Sequence, residues 1–147
     1  MNLEKRVADF IKKHHVLTLS TAVENKPYSC NCFYAYNQED NVLIFTSDYQ
    51  TKHIQDALKN NYVSGSIVLE TSVVGKIRGV QFNGFIFEAK ENDLKKYKKF
   101  YLKRFPFAVL SSTAIWYVEL TFVKMTDNRL GFGKKIIWHK DDLQKTI

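Results

Sequence analysis

Apolar residues at Leu3, Val7, Phe10 and Ile11 recur at the spacing of one helix face, so residues 3–15 are expected to form a short amphipathic helix with Asn2 as a permissible N-cap. At Val16 the period falls from 3.6 to two. Leu17, Leu19 and Thr21 alternate with Thr18 and Ser20, which predicts a strand. Glu24 to Pro27 carries turn chemistry, and alternation resumes from Tyr28 to Tyr36 with Tyr28, Cys30, Cys32 and Tyr34 on one face. A polar turn over Asn37–Asn41 then leads to the apolar run Val42–Thr46, so three consecutive strands predict an antiparallel meander.

Thr51–Asn60 has helical periodicity, with Ile54, Ala57 and Leu58 on one face and Ser47, Asp48 or Thr51 available to cap it. Two extended segments follow, Tyr62–Leu69 and Ile77–Ala89, and Gly79 and Gly84 in the second would relieve crowding where a barrel strand bends. Lys90–Arg104 reads as a basic helix with Tyr97, Phe100 and Tyr101 on its buried side, ended by Arg104–Phe105–Pro106 because proline disfavours helical geometry in the residue before it. Ile115–Met125 is a strand placing Trp116, Val118, Leu120 and Phe122 on one face, and Gly131–His139 is a last extended piece. Residues 1–147 are therefore expected to form one domain, mainly β, with an antiparallel barrel of six to seven strands and three short flanking helices.

Composition agrees. A chain of 147 residues with 45% hydrophobic and 25% charged residues can bury one core, and an aromatic share of 14% suits pleated sheets. The net charge of +7 fits an anionic ligand or a solvated cationic surface. Since much of it falls on the Lys90–Arg104 helix, where no nucleic-acid reading motif occurs, no nucleic-acid partner is expected. No apolar run is long enough to span a bilayer, and Cys30 and Cys32, the only cysteines, fit neither a zinc-knuckle nor a redox CxxC spacing. The expected setting is a reducing cytoplasm, without a membrane partner. His14, His15, His53 and His139 include no pair spaced to converge on a metal from one helix, so no metal is expected.

The candidate chemistry lies where the third strand passes into the second helix. Thr46, Ser47, Thr51 and Lys52 surround a helix start whose free backbone N–H groups favour an anion, although capping accounts for the hydroxyls equally well. Gln81, on the strand face opposite Arg78, needs a hydrogen-bond partner if buried, which either a ligand or a backbone group would supply.

The local sequences sharpen this picture. Ile44–Phe45–Thr46–Ser47 followed by Thr51–Lys52 resembles the phosphate-binding stretch of the FMN-binding split barrels related to pyridoxamine-phosphate oxidase. Arg78–Gly79–Val80–Gln81–Phe82–Asn83–Gly84 is similar to that family's glutamine-bearing strand, and Tyr101–Leu102–Lys103–Arg104–Phe105–Pro106 resembles its arginine–phenylalanine–proline turn. Thr126–Asp127–Asn128 and Leu130–Gly131–Phe132–Gly133–Lys134–Lys135 resemble the YhbP-type branch. The resemblance spans nearly the whole chain and implies FMN as cofactor and a homodimer that builds the flavin cleft from two chains. By it, Cys30, Asn31, Cys32 and Phe33 would line the isoalloxazine ring, and Thr46, Ser47, Thr51 and Lys52 would hold the phosphate. Gln81 would touch the flavin, and Trp138 would close the site from the other subunit.

One departure limits the analogy. Tyr28 to Tyr36 contains no basic residue, whereas the oxidases carry arginine and lysine on this strand for charge-assisted bonds to cofactor and substrate. The resemblance therefore implies a flavin-dependent oxidoreductase acting on a small molecule or electron donor, with no catalytic acid or base named. A non-enzymatic carrier of flavin, haem or deazaflavin is the alternative.

Overall fold

The computed structural model describes residues 3–110 and 113–143. The α-helices are α1 (Lys5–Lys13), α2 (Lys52–Lys59) and α3 (Glu91–Arg104). The strands are β1 (Val16–Val23), β2 (Lys26–Phe33), β3 (Ala35–Asn37), β4 (Val42–Ser47), β5 (Tyr62–Val68), β6 (Arg78–Glu88), β7 (Ala114–Asp127) and β8 (Lys135–His139). They form one antiparallel sheet in the order β2-β1-β5-β6-β7-β4-β3, with β8 added to β7. β7 is long enough to use one edge twice, pairing with β4 over Ala114–Glu119 and with β8 over Phe122–Thr126.

The sheet curls into a barrel because β2 and β3, at opposite ends of the strand order, are one stretch of chain interrupted at Tyr34. Its first part pairs with β1 and its last part with β4. Tyr34 is fully buried and donates its hydroxyl to the Ile11 carbonyl at 2.6 Å, which fixes the corner against the end of α1. Arg104, at the end of α3, clamps the same corner by donating to the carbonyls of Tyr34 and His14. The expected mainly β barrel with flanking helices is thus observed. Its strands number eight rather than six to seven because this break divides the second predicted strand, and the expected three-stranded meander gives way to two separate pairs, β1 with β2 and β3 with β4.

The β1–β2 hairpin closes through Glu24 and Asn25, both with positive φ (52° and 62°), the geometry whose twist matches a two-residue hairpin loop. Inside the barrel, Leu17, Leu19, Phe45, Phe82, Val118 and Leu120 form the main core. Val7, Phe10 and Ile11 of α1 and Ile54 and Ala57 of α2 join that core, while Tyr97 and Tyr101 of α3 pack outside the barrel on Ala35, Val42, Ile44 and Ile115.

Several expectations need correction. Leu58 is exposed and Asp56 takes the buried position on α2, because Thr21 and Lys52 hydrogen-bond its carboxylate. Phe100 is also exposed, leaving Tyr97 and Tyr101 as the buried side of α3. Phe122 does not share a face with Trp116, Val118 and Leu120. Asn83 pairs with Phe122 and Gly84 with Leu120, so Thr121 is an extra residue and the parity of β7 reverses there. Asn2 lies outside the described residues, and α1 starts after Glu4 with no side-chain cap bond.

Candidate functional site

β2 and β4 do not pair, and the first turn of α2 lies beside the seam between them. Four of the residues singled out by sequence meet at this seam. Cys30 and Cys32 stand opposite Leu19 and Leu17, so they point inward and pack against the main core. Their sulfurs are 3.9 Å apart. From β4, Ser47 places its Oγ 2.5 Å from Nε2 of His53, and Thr51 Oγ1 lies 3.4 Å from both groups. His53 is the residue that sequence reasoning missed: one of its ring nitrogens and both sulfurs lie within 4.8 Å of one another. Only pairing of β2 beside the start of α2 brings it there, and no sequence spacing announces that.

The seam changes the thiol chemistry. The Cys30 thiol is pulled down to about 5 by the hydrogen bond from Cys32 and, against the opposing effect of burial, by His53. The Cys32 thiol is pushed up by the same contact and by its own burial. The contact thus eases ionisation of Cys30 and opposes that of Cys32.

α2 begins without a side-chain cap. Thr51 donates its hydroxyl to the Asp48 carbonyl at 2.8 Å, and the first intrahelical bond runs from the Gln55 amide to the Thr51 carbonyl. The amides of Lys52, His53 and Ile54 precede that bond and form the positive end of the helix dipole. Lys52 points along the helix instead, with Nζ at 3.0–3.1 Å from the Asp56 carboxylate and 4.9 Å from the centre of the Tyr28 ring. Thr46 faces the other side of β4, where it hydrogen-bonds Tyr101 of α3.

The remaining candidates lie elsewhere. Asn31 and Phe33 alternate with the cysteines and point outward, Phe33 being 60% exposed. Gln81 is exposed on the same outer side, opposite Arg78, which lines a cleft beside Phe10 and Arg129. Trp138 pairs with the buried Val123 and turns inward, its Nε1 buried without a hydrogen-bond partner. Its partner Val123 is nine positions along β7 from Ala114, which pairs with Ser47, so within one chain Trp138 does not reach the seam.

Gln81 belongs to a continuous row. Through successive pairings, Asn31, Thr18, Ser66, Gln81, Lys124 and Ile137 cross the outer face of β2-β1-β5-β6-β7-β8. A second row runs parallel through Ser29, Ser20, Ser64, Asn83, Phe122 and His139. Every member is at least partly exposed, and Lys124 is the one lysine, arginine, aspartate or glutamate among them. The face is polar but nearly without charge. Thr18 bonds Asn31 at 3.0 Å and Ser20 bonds Ser29 at 2.9 Å.

Among the described residues, no helix is long and apolar enough to cross a membrane. The fold is similar to solved structures of ligand-binding barrels. The heme binding protein of Mycobacterium smegmatis superposes with a TM-score of 0.76 at 15% identity, over 88% of this chain and 55% of that one. An FAD-binding protein of Mesorhizobium loti gives 0.70 at 16% identity, over 85% and 95% of the two chains. The FAD binding protein of Mycobacterium smegmatis gives 0.68 at 16%, over 94% and 100%. At these identities the likeness establishes the split-barrel fold alone. No family model matches the chain. By sequence it is 35% identical over 131 residues to a UPF0306 protein of Photorhabdus laumondii, covering 89% of this chain and 92% of that one. It is 36% identical over 134 residues to the UPF0306 protein YhbP of Escherichia fergusonii, covering 90% of each. The chain therefore belongs to the UPF0306 (YhbP) family.

Proposed function

We infer that this protein binds an anionic ring cofactor of the flavin or haem class, FMN in the first instance, and works as a homodimer in flavin-dependent oxidation or reduction of a small molecule. The observation that carries the reading is the nearly uncharged polar face running from Asn31 through Gln81. On a chain of net charge +7, two exposed rows of twelve residues with one formal charge, bordered by Lys135 and Glu119, suit cover by a second copy and a planar ligand better than open water. Two of the structural neighbours are described as FAD-binding and one as heme binding, which supports the ligand class.

The donor set fits a phosphate-bearing ring. Uncapped amides at the start of α2, the Thr51 hydroxyl and the exposed Lys52 ammonium suit the phosphate. Asn31, Phe33 and Gln81 on the outer face suit the ring, whereas Trp138, turned inward against the core, does not reach it. A bound flavin would bring hydride or electron transfer, and the residues of this chain would orient it and exclude water. The absorbance spectrum of freshly purified protein, alone and after adding FMN, FAD or haem, tests the reading. Flavin absorbance that remains with the protein through gel filtration is expected. A protein that stays colourless and ignores all three compounds removes the proposal.

The absence of a basic residue between Tyr28 and Tyr36 favours one second reading, a carrier that holds the ring without turnover. Anaerobic mixing with reduced nicotinamide nucleotides separates the two. Bleaching of the bound flavin supports the oxidoreductase, and an unchanged spectrum across a panel of donors supports the carrier.

A further inference from the structure

We propose that Cys30, Cys32 and His53 form a binding site for one soft divalent transition-metal ion, of which zinc is the type, in the seam between β2 and β4. The site lies apart from the outer face used by the proposed ring; it adjoins the start of α2 to which the phosphate is assigned, but its three side-chain donors are not used by that reading.

The donor chemistry selects the ion class. Two thiols and an imidazole favour zinc and its neighbours and disfavour calcium or magnesium, which take oxygen ligands. Both cysteines of the chain are at this one place, on the same face of one strand. The geometry is close to what such an ion needs. Zinc–thiolate bonds of about 2.3 Å at tetrahedral angles put two sulfurs about 3.8 Å apart. The sulfurs stand at 3.9 Å, and the imidazole donor is within 4.8 Å of both. Both cysteines are free thiols at this distance.

The surroundings favour the charge balance. Two thiolates and a neutral imidazole neutralise a divalent ion, and the positive end of α2 favours the thiolate form before the ion arrives. Ser47 Oγ holds the His53 ring, the kind of outer partner that fixes the orientation of a metal-bound imidazole. The Lys52 ammonium beside it is paired with Asp56. Three protein donors leave one tetrahedral position open.

Cobalt(II) chloride titrated into the reduced full-length protein, without added flavin or haem, tests the site. One cobalt per chain is expected, with an intense thiolate-to-metal charge-transfer band that an equimolar amount of zinc abolishes. Cys30→Ser and Cys32→Ser should each weaken binding at least tenfold and diminish the band. His53→Gln should weaken binding while keeping part of the band. Zinc should also shield both thiols of the unaltered protein from iodoacetamide, a measurement that needs no variant to fold. Cobalt bound without a charge-transfer band, a band indifferent to Cys30→Ser, or thiols alkylated equally fast with and without zinc would each overturn the proposal. Failure of flavin binding leaves every one of these readouts intact.

Discussion

Asp127 is fully buried at the end of β7, where its carboxylate accepts from the Arg129 amide at 3.0 Å and from the Arg129 guanidinium at 3.0 and 2.8 Å, with Arg6 at 3.8 Å. The hydrogen-bonded Arg129 holds its carboxyl below the ordinary value of 3.8, against the opposing effect of burial. Because folding lowers this pKa, the unfolded chain binds more protons in that range and stability rises with pH there. The contribution is complete above the unfolded value and is lost as the pH falls through the folded one. Asp127→Asn should therefore lower stability at neutral pH and flatten the loss between about pH 5 and 2, read as urea midpoints across an acid series. Equal acid slopes in the two proteins would show that the ion pair carries no such term. The sequence flagged Thr126–Asp127–Asn128 only through resemblance. The chemistry of single residues was legible where parity decides it, as for the shared face of Cys30 and Cys32, and illegible where a distant element supplies the partner, as Arg6 does for Asp127 and His53 for the thiols.

At the scale of the element, β6 and β7 carry the barrel's curvature, and Gly84 makes their approach possible. A Cβ there would lie 2.4 Å from the Glu119 carbonyl oxygen and 2.7 Å from Val118 Cγ1, opposite the bulge at Thr121. The backbone oxygen cannot move aside without disturbing the ladder, so Gly84→Ala should destabilise the protein by about 1–3 kcal/mol, the usual range for overpacking. At Gly79 the nearest atom to such a Cβ is 3.4 Å away, so Gly79→Ala should cost little by comparison. Paired chemical denaturation of the two variants measures the difference, and equal losses would show that the bulge is not what demands the glycine. Both glycines looked alike in the sequence, where each only marked a bending strand. Helices and strands were legible from their periods because one face of each meets the core. The break at Tyr34 and the extra residue at Thr121 were not, since each preserves local alternation and is set by which neighbour the backbone pairs with.

For the molecule as a whole, the question is what covers the outer face. α3 screens the side formed by β3, β4 and the start of β7, through Tyr97 and Tyr101. The Asn31-to-Ile137 and Ser29-to-His139 rows lie on the remaining strands, flanked by exposed apolar residues such as Phe33 and Val68. Strand parity makes the outward set readable from sequence, but not which half a helix covers, because that depends on the path of the chain after β6. A stable dimer of ordinary size buries about 800 Å² on each partner, an area that a six-strand face can supply. Ser66 is central to the row, paired with both Thr18 and Gln81. If two copies meet here, Ser66→Glu places two unpaired carboxylates in a desolvated interface, at a cost of several kcal/mol each after relaxation. Sedimentation should then find the unaltered protein dimeric and Ser66→Glu monomeric, with unchanged circular dichroism and weakened retention of FMN. Lys99→Glu, on the exposed side of α3, should remain dimeric. A unaltered protein that sediments as a monomer at micromolar concentration, or a Ser66→Glu variant as dimeric as its parent, would mean that this face is left to solvent and that the ring compound, if bound, is held by one chain alone.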